Sequence, residues 1–339
     1  MQQSALAPIT VRISDVRSQR VSWLWPGMIP RGKLTVLCGD PGLGKSFLTL
    51  DLCARASNGG PWPLATGEPH GKPLGSVLLS AEDDPADTLR PRLEAQGANL
   101  ALVRVVDALK DSQDRVYDFV IGDHARHLAA MISSDEEVGL LVVDPVSAYV
   151  GATDSYNNAQ VRGMLKPLAD LAADFNIAVV LVTHMRKGEA TKALHATMGS
   201  LAFTAAARVV LMVTRDPNDP NARIIATVKS NLAPDRRAFR FRINDGKMEW
   251  LDSFNAQADE VIAQQQSKAA KPEPLSDEAF AKDLRAFIEE TKGERASAEV
   301  QRFAKERGFS FDRLKRAAFK GVVGATVIRT TAGWVWRLV

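Results

Sequence analysis

Gly39-Asp40-Pro41-Gly42-Leu43-Gly44-Lys45-Ser46 is the stretch on which the reading of this chain turns. It satisfies every fixed position of the phosphate-loop pattern G-x-x-x-x-G-K-[ST]. The run Lys33-Leu34-Thr35-Val36-Leu37-Cys38 before it reads as a short buried strand, and Phe47 to Ala56 after it reads as a helix. Glycines let consecutive backbone N–H groups curl around an anion, and the helix N-terminus adds partial positive charge. Lys45 has the reach for terminal phosphates, and the Ser46 hydroxyl can join the shell of a Mg²⁺ ion. An ordinary glycine turn is the alternative; the flanking strand and helix favour nucleotide binding.

Outward from the loop, three apolar runs each end on a polar side chain. Val77-Leu78-Leu79-Ser80 leads into Ala81-Glu82-Asp83-Asp84-Pro85. A carboxylate just past the end of a parallel strand faces the ligand crevice of an α/β sheet. Glu82 there suits a base that polarises the water attacking a γ-phosphate, while Asp84 before Pro85 suits a helix N-cap. Gly139-Leu140-Leu141-Val142-Val143-Asp144-Pro145 is a Walker B pattern, a buried strand delivering Asp144 beside the metal held by Ser46. Ile177 to Thr183 is a further buried strand with His184 at its tip. A polar residue there can report the γ-phosphate; a cap on a loop or helix is the alternative.

Composition sets the frame around these motifs. The 339 residues suggest two domains, and 45% hydrophobic with 24% charged residues is ordinary for a chain with a large core. No run of about 18 apolar residues indicates a membrane span. Met1 to Thr10 lacks a basic start followed by an apolar stretch, so no secretory signal is read and a cytoplasmic location is expected. Cys38 and Cys53 read as buried thiols rather than as a disulfide or metal site. The net charge of +3 is too small to establish a nucleic-acid partner. Its distribution says more: residues 276–339 hold thirteen Lys and Arg against nine Asp and Glu.

The remaining segments give the organisation. Thr10 to Ile13 reads as a strand. Trp23-Leu24-Trp25-Pro26-Gly27 and Ile29-Pro30-Arg31-Gly32 mark turns, their tryptophans packing rather than covering a base. Leu102 to Val106 reads as a strand, and Asp123 to Ser133 and Ala159 to Phe175 as helices, the latter despite Pro167. Met185 to Ser200 carries Arg186, Lys187, Lys192 and His195 between Gly188 and Gly199. Such a loop suits the phosphates of single-stranded DNA, with a solvated surface loop as the alternative. Ala207 to Val213 and Arg223 to Val228 form a hairpin with Arg208 at the start of one arm and Lys229 at the end of the other. Phe239 to Ile243 and Met248 to Leu251 form another around Asn244-Asp245-Gly246.

Residues 255–275 read as a linker, partly helical at its start, between a domain of residues 1–254 and one of 276–339. In the latter, helices are expected over Asp277–Glu290, Ala298–Arg307 and Phe311–Phe319. A terminal hairpin follows, turning at Thr330–Gly333, with Trp334 and Trp336 on one face. That order is winged-helix-like. Its third helix carries Arg313, Lys315, Arg316 and Lys320, which suit contact with DNA; docking of a replication protein is the alternative.

The ordered series of loop, Glu82, Asp144 and His184 resembles the RecA-type ATPase core, and in particular the RepA-like family of plasmid and phage hexameric replicative helicases. The wording "LLSAEDD", "LLVVDPVSAYVG", "LVTHMRKG", "MGSLAFTAAARVVLMV" and "VKSNLAP" carries the likeness, which covers roughly Val21 to Leu251. The resemblance implies an α/β fold: a RecA-like, mostly parallel twisted sheet flanked by helices. It further implies a ring, expected to be a homohexamer, with ATP and Mg²⁺ between neighbours and single-stranded DNA in the channel. Gly39 to Phe47 and Lys229 would then bind nucleotide, and Ser46 and Asp144 the metal. Lys45, Glu82, His184 and Arg208 would act in catalysis, Arg208 as an arginine finger reaching the neighbouring subunit's ATP. One departure stands out. In DnaB-type relatives the later strand tends to end in Lys-x-Arg, and here it reads Lys229-Ser230-Asn231. Lys229 can serve as a second trans cation; Asn231 supplies no charge.

Three functions therefore compete: a helicase, a non-helicase ATPase switch (recombination mediator, helicase loader or DNA-bound regulator), and a protein that holds nucleotide without turning it over. Glu82 and Arg208 argue against the third.

Overall fold

The computed structural model describes residues 10–63, 71–153, 157–184, 201–232, 237–269, 277–306, 324–331 and 333–338. Contacts divide the chain into two units, Met1–Gln265 and Gln266–Val339.

The first unit is built on nine strands: β1 Lys33–Gly39, β2 Gly75–Ser80, β3 Val103–Val105, β4 Val138–Asp144, β5 Ala178–His184, β6 Val209–Arg215, β7 Arg223–Ser230, β8 Arg237–Asn244 and β9 Lys247–Asn255. They lie in the order β9-β8-β7-β6-β1-β5-β4-β2-β3. The six from β6 to β3 run parallel, and β7, β8 and β9 extend the sheet antiparallel. The near-continuous apolar runs of β1, β4 and β5 suit strands covered on both faces, and all three are buried over almost their whole length.

The covering layers are helices α1 Lys45–Asn58, α2 Arg90–Ala95, α3 Ile121–Ser133, α4 Asn158–Phe175, α5 Leu201–Ala206 and α6 Ala258–Ala269. Strand residues alternate between the layers because strand periodicity is two. Val36, Val143 and Leu181 face the side packed by Ile121 and Leu128 of α3 and Val161, Leu165 and Leu168 of α4. Leu37, Val142 and Val180 face the side packed by Leu48 and Leu52 of α1 and Leu93 of α2. Asn157 caps α4 by accepting from Ala159 and Gln160 N–H, and Pro167 is held inside that helix. As expected, Asp84 caps the turn at Pro85, accepting from the N–H groups of Ala86 and Asp87.

Trp23–Trp25 pairs with Ile29–Pro30. Trp25 is in the core, 4.9 Å from the Phe239 ring and 5.3 Å from Trp250. The Trp250 indole in turn donates to Asp51 of α1 at 2.9 Å. This aromatic cluster ties the N-terminal segment and the antiparallel extension to the helix that follows the phosphate loop. Both cysteines are buried and free.

Some expectations change. Thr10–Arg12 has no regular structure and Ile13–Asp15 is a 3₁₀ turn, with Val11 and Ile13 exposed and no strand paired with them among the described residues. The two hairpins join the central sheet as its edge. The start of the segment read as a linker is helical as expected, over Ala258–Ala269, with Asn255 ending β9 and Ala258 and Val261 in the core. Residues 270–276 lie outside the described ones.

In the second unit, helices Asp277–Glu289 and Ser297–Glu306 pack on a three-stranded antiparallel sheet. Its central strand is Gly333–Leu338, between Ala325–Thr330 and a strand the sequence reading missed, Glu294–Ala296. Phe280, Leu284, Ile288, Val300 and Trp336 form its core. Trp336 is covered, but Trp334 beside the turn is 58% exposed, with the Arg329 guanidinium 6.0 Å from its ring centre. The expected helix Phe311–Phe319, with Arg313, Lys315, Arg316 and Lys320, lies outside the described residues. Among the described residues no helix is long and apolar enough to cross a membrane.

Trp25→Ala removes the centre of the aromatic cluster. It is expected to destabilise the first unit by about 3–5 kcal/mol in urea unfolding. An unchanged midpoint would show that the cluster does not hold the sheet extension to α1.

Candidate active site

Parallel pairing puts Gly39 beside His184 and Ser80 beside Asp144, so the polar ends of β1, β5, β4 and β2 share one edge of the sheet. Ligands of open α/β sheets bind beyond this carboxyl edge. The loop turns through left-handed glycines, Gly42 at φ 75° and Gly44 at φ 84°, before α1 begins. At Gly39 a Cβ would lie 2.5 Å from the Val213 carbonyl oxygen of β6, so only glycine lets the loop leave the sheet there.

Lys45, the first residue of α1, is buried and its ammonium folds back over the loop. Its Nζ donates to the carbonyls of Gly39 at 2.9 Å and Asp40 at 2.8 Å, and lies 3.2 Å from His184 Nδ1. Burial pushes the lysine pKa below its ordinary value, with Asp144 opposing. Burial and the Lys45 charge lower the His184 pKa. A lowered pKa favours the neutral imidazole near pH 7, whose Nδ1 can accept from the ammonium. Its other nitrogen, Nε2, is 3.9 Å from Glu82 Oε1. Glu82 stays largely exposed, within reach of water.

Asp144 ends β4 and is half-buried. Its pKa is raised to about 6, first by burial and then by the charges of Asp83 and Glu82; the Ser46 hydrogen bond and Lys45 pull the other way. Ser46 and Asp144 are thus adjacent hard oxygen donors, with the carboxylates of Glu82 and Asp83 close by. That chemistry fits Mg²⁺, which binds through one or two protein oxygens together with phosphates and water.

The cleft over the loop is about 420 Å³. It brings Pro41, Gly42, Gly44 to Phe47, Glu82, Asp144 and His184 together. Asp40 contributes its carbonyl to Lys45, whereas the Leu43 side chain is buried in the core. Four lining residues, Asp83, Arg92, Arg223 and Ile243, were missed in the sequence. Arg92 holds Asp83 at 3.0 Å and lies over the Phe47 ring at 4.6 Å. Arg223 and Ile243 arrive from β7 and β8, about two hundred residues further along, and only the sheet order brings them here.

Arg208 and Lys229 are not in this cleft. The Arg208 N–H donates to the Leu34 carbonyl, at the opposite end of β1. Lys229 Nζ donates to the carbonyls of Thr204 at 3.2 Å and Ala207 at 3.0 Å. Both line a second cavity of about 440 Å³, together with Arg162 and Asn231. Arg186, Lys187, Lys192 and His195 lie outside the described residues.

A phosphate loop on β1, carboxylates beyond β2 and β4, and a strand inserted between β1 and β4 define a RecA-like P-loop ATPase domain. Residues 2–190, more than half of the chain, match the family model described as AAA domain, and the chain belongs to that family. No curated protein matches it. The match takes in the loop, Glu82, Asp144 and His184, and ends before Arg208 and Lys229.

The raised Asp144 pKa sets a stability cost with a definite sign. A carboxyl that holds its proton up to about pH 6 when folded, against 3.8 ordinarily, makes its ionised form costly above pH 6. The cost is absent below the unfolded value. Asp144→Asn is therefore expected to raise stability by about 2–3 kcal/mol at pH 8 and to leave it unchanged near pH 3.5. Thermal melts at the two pH values check this; a loss of stability at pH 8 would show that Ser46 and Lys45 outweigh burial.

Proposed function

We propose that the protein is an ATP-driven motor on single-stranded DNA, of the plasmid or phage replicative helicase type. It works as a ring of identical subunits, six by the resemblance, with each ATP held between neighbours. The loop N–H groups and Lys45 bind the β- and γ-phosphates. Ser46 and Asp144 would hold Mg²⁺, which would neutralise charge on the phosphate oxygens. Glu82 takes the proton of the attacking water. A γ-phosphate competes with His184 for the Lys45 ammonium, and the imidazole, facing Glu82 with its other nitrogen, carries that change to the base.

One observation supports this reading above the others. Lys45, Ser46, Glu82, Asp144 and His184 share one edge of the sheet, while Arg208 and Lys229 sit at the other. Cations at that distance cannot serve their own loop, but stacking subunits edge to edge would bring them to a neighbour's. Arg208 is then the finger that stabilises charge in the transition state, and hydrolysis depends on assembly. The loop with Arg186, Lys187 and Lys192 is the proposed contact to the DNA backbone, and residues 276–339 the proposed contact to DNA or a replication protein.

Glu82→Gln is expected to lower kcat about a hundredfold or more while ATP binding persists, read by turnover and nucleotide titration. Turnover at the full rate would remove Glu82 from the base role. Single-stranded DNA is expected to stimulate hydrolysis, with strand displacement on forked duplexes. Stimulated hydrolysis without displacement on any fork would favour an ATPase switch instead.

A further inference from the structure

The cavity at the far edge of the sheet holds more positive charge than the motifs account for. Three segments supply it: Arg162 from α4, Arg208 just before β6 and Lys229 near the end of β7. No carboxylate lines it among the described residues. Lys166, the remaining cation on its wall, is tied to Asp170 at 2.6 and 2.8 Å. Neither the Arg162 nor the Arg208 side chain meets a carboxylate among the described residues, and both are exposed. Lys229 is fixed by two carbonyls, which leaves its third N–H for another acceptor.

Like charges gathered without a counter-ion repel. That repulsion is visible at Lys229, whose pKa is lowered by burial and then by Arg208 and Arg162. A multiply charged anion would relieve it, and two guanidiniums with an ammonium are the donors a phosphate group takes best. Asn231 lines the same cavity without charge, so a second guanidinium comes from a helix rather than from the strand end.

We propose that Arg162 is a second arginine contributed in trans, contacting with Arg208 and Lys229 the γ-phosphate of ATP held by Lys45 of a neighbouring copy. The inference rests on the intersubunit site proposed above and adds a residue to it. Arg162 is exposed on α4, so replacing it leaves the core intact.

Subunit mixing tests it. Arg162→Ala is expected to lower kcat for ATP about tenfold, with Arg162→Lys between it and the parent. Lys45→Ala subunits cannot hold ATP but carry an intact far edge. Arg162→Ala subunits mixed with Lys45→Ala subunits form interfaces with a complete loop on one side and all three cations on the other. ATPase of the mixture is expected to exceed the weighted sum of the two separate preparations. An Arg208→Ala mixture run in parallel separates the two levels of the proposal. Recovery with Arg208→Ala but not with Arg162→Ala, or parental turnover by Arg162→Ala alone, overturns the role of Arg162 and leaves the intersubunit site standing. Recovery with neither overturns both. Loss of nucleotide-free single-stranded DNA binding by Arg162→Ala, with turnover unchanged, assigns the cavity to DNA phosphates and also overturns it.

Discussion

Parallel strand register is the constraint on which this molecule depends. Gly39 pairs with His184, and Ser80 with Asp144, because β1, β5, β4 and β2 run in one direction and stop together. A slip of one residue in any of them would turn its core face toward the wrong layer of helices. Buried valines and leucines on both faces make that slip expensive, so hydrophobic packing is what places the polar strand ends. Lys45 then joins loop to neighbour strand, its ammonium held by Gly39 and Asp40 and set against His184. Site chemistry is in this sense a by-product of sheet packing.

The same sheet presents different chemistry at its two edges. At the carboxyl edge the strands deliver an anion-binding loop and three carboxylates, and burial, with a smaller push from Asp83 and Glu82, raises the Asp144 pKa. At the opposite edge Arg162, Arg208 and Lys229 gather around a cavity with no carboxylate among the described residues. In the proposed intersubunit site, the cations of one copy's far edge would meet the phosphate held at the carboxyl edge of the next. Both edges cost stability, as sites poised for function commonly do.

The phosphate loop was legible because it is local: eight consecutive residues hold its pattern, and the strand and helix beside it have their own periodicities. Glu82, Asp144 and His184 were legible because each ends an apolar run, and the ends of parallel strands collect at one edge. Arg92, Arg223, Ile243 and Arg162 were not, because their positions follow from which strands and helices lie side by side. Nothing near Ile243 announces that its side chain overhangs Gly44, which a Cβ at that glycine would strike. The strand Glu294–Ala296 escaped for another reason: three residues are too few to show a period. Thr10–Ile13 reads as a strand in sequence, but a strand needs a neighbour to accept its hydrogen bonds, and none pairs with it among the described residues.

Completion of the site by a second subunit is the central claim, and particle mass measured with ATP and single-stranded DNA tests it most directly. The expected result is a closed assembly, a fixed multiple of the 36.8 kDa subunit, that forms or tightens with both ligands and appears over the same concentration range as ATPase activity. Full, DNA-stimulated turnover by a particle that remains at 36.8 kDa would contradict it.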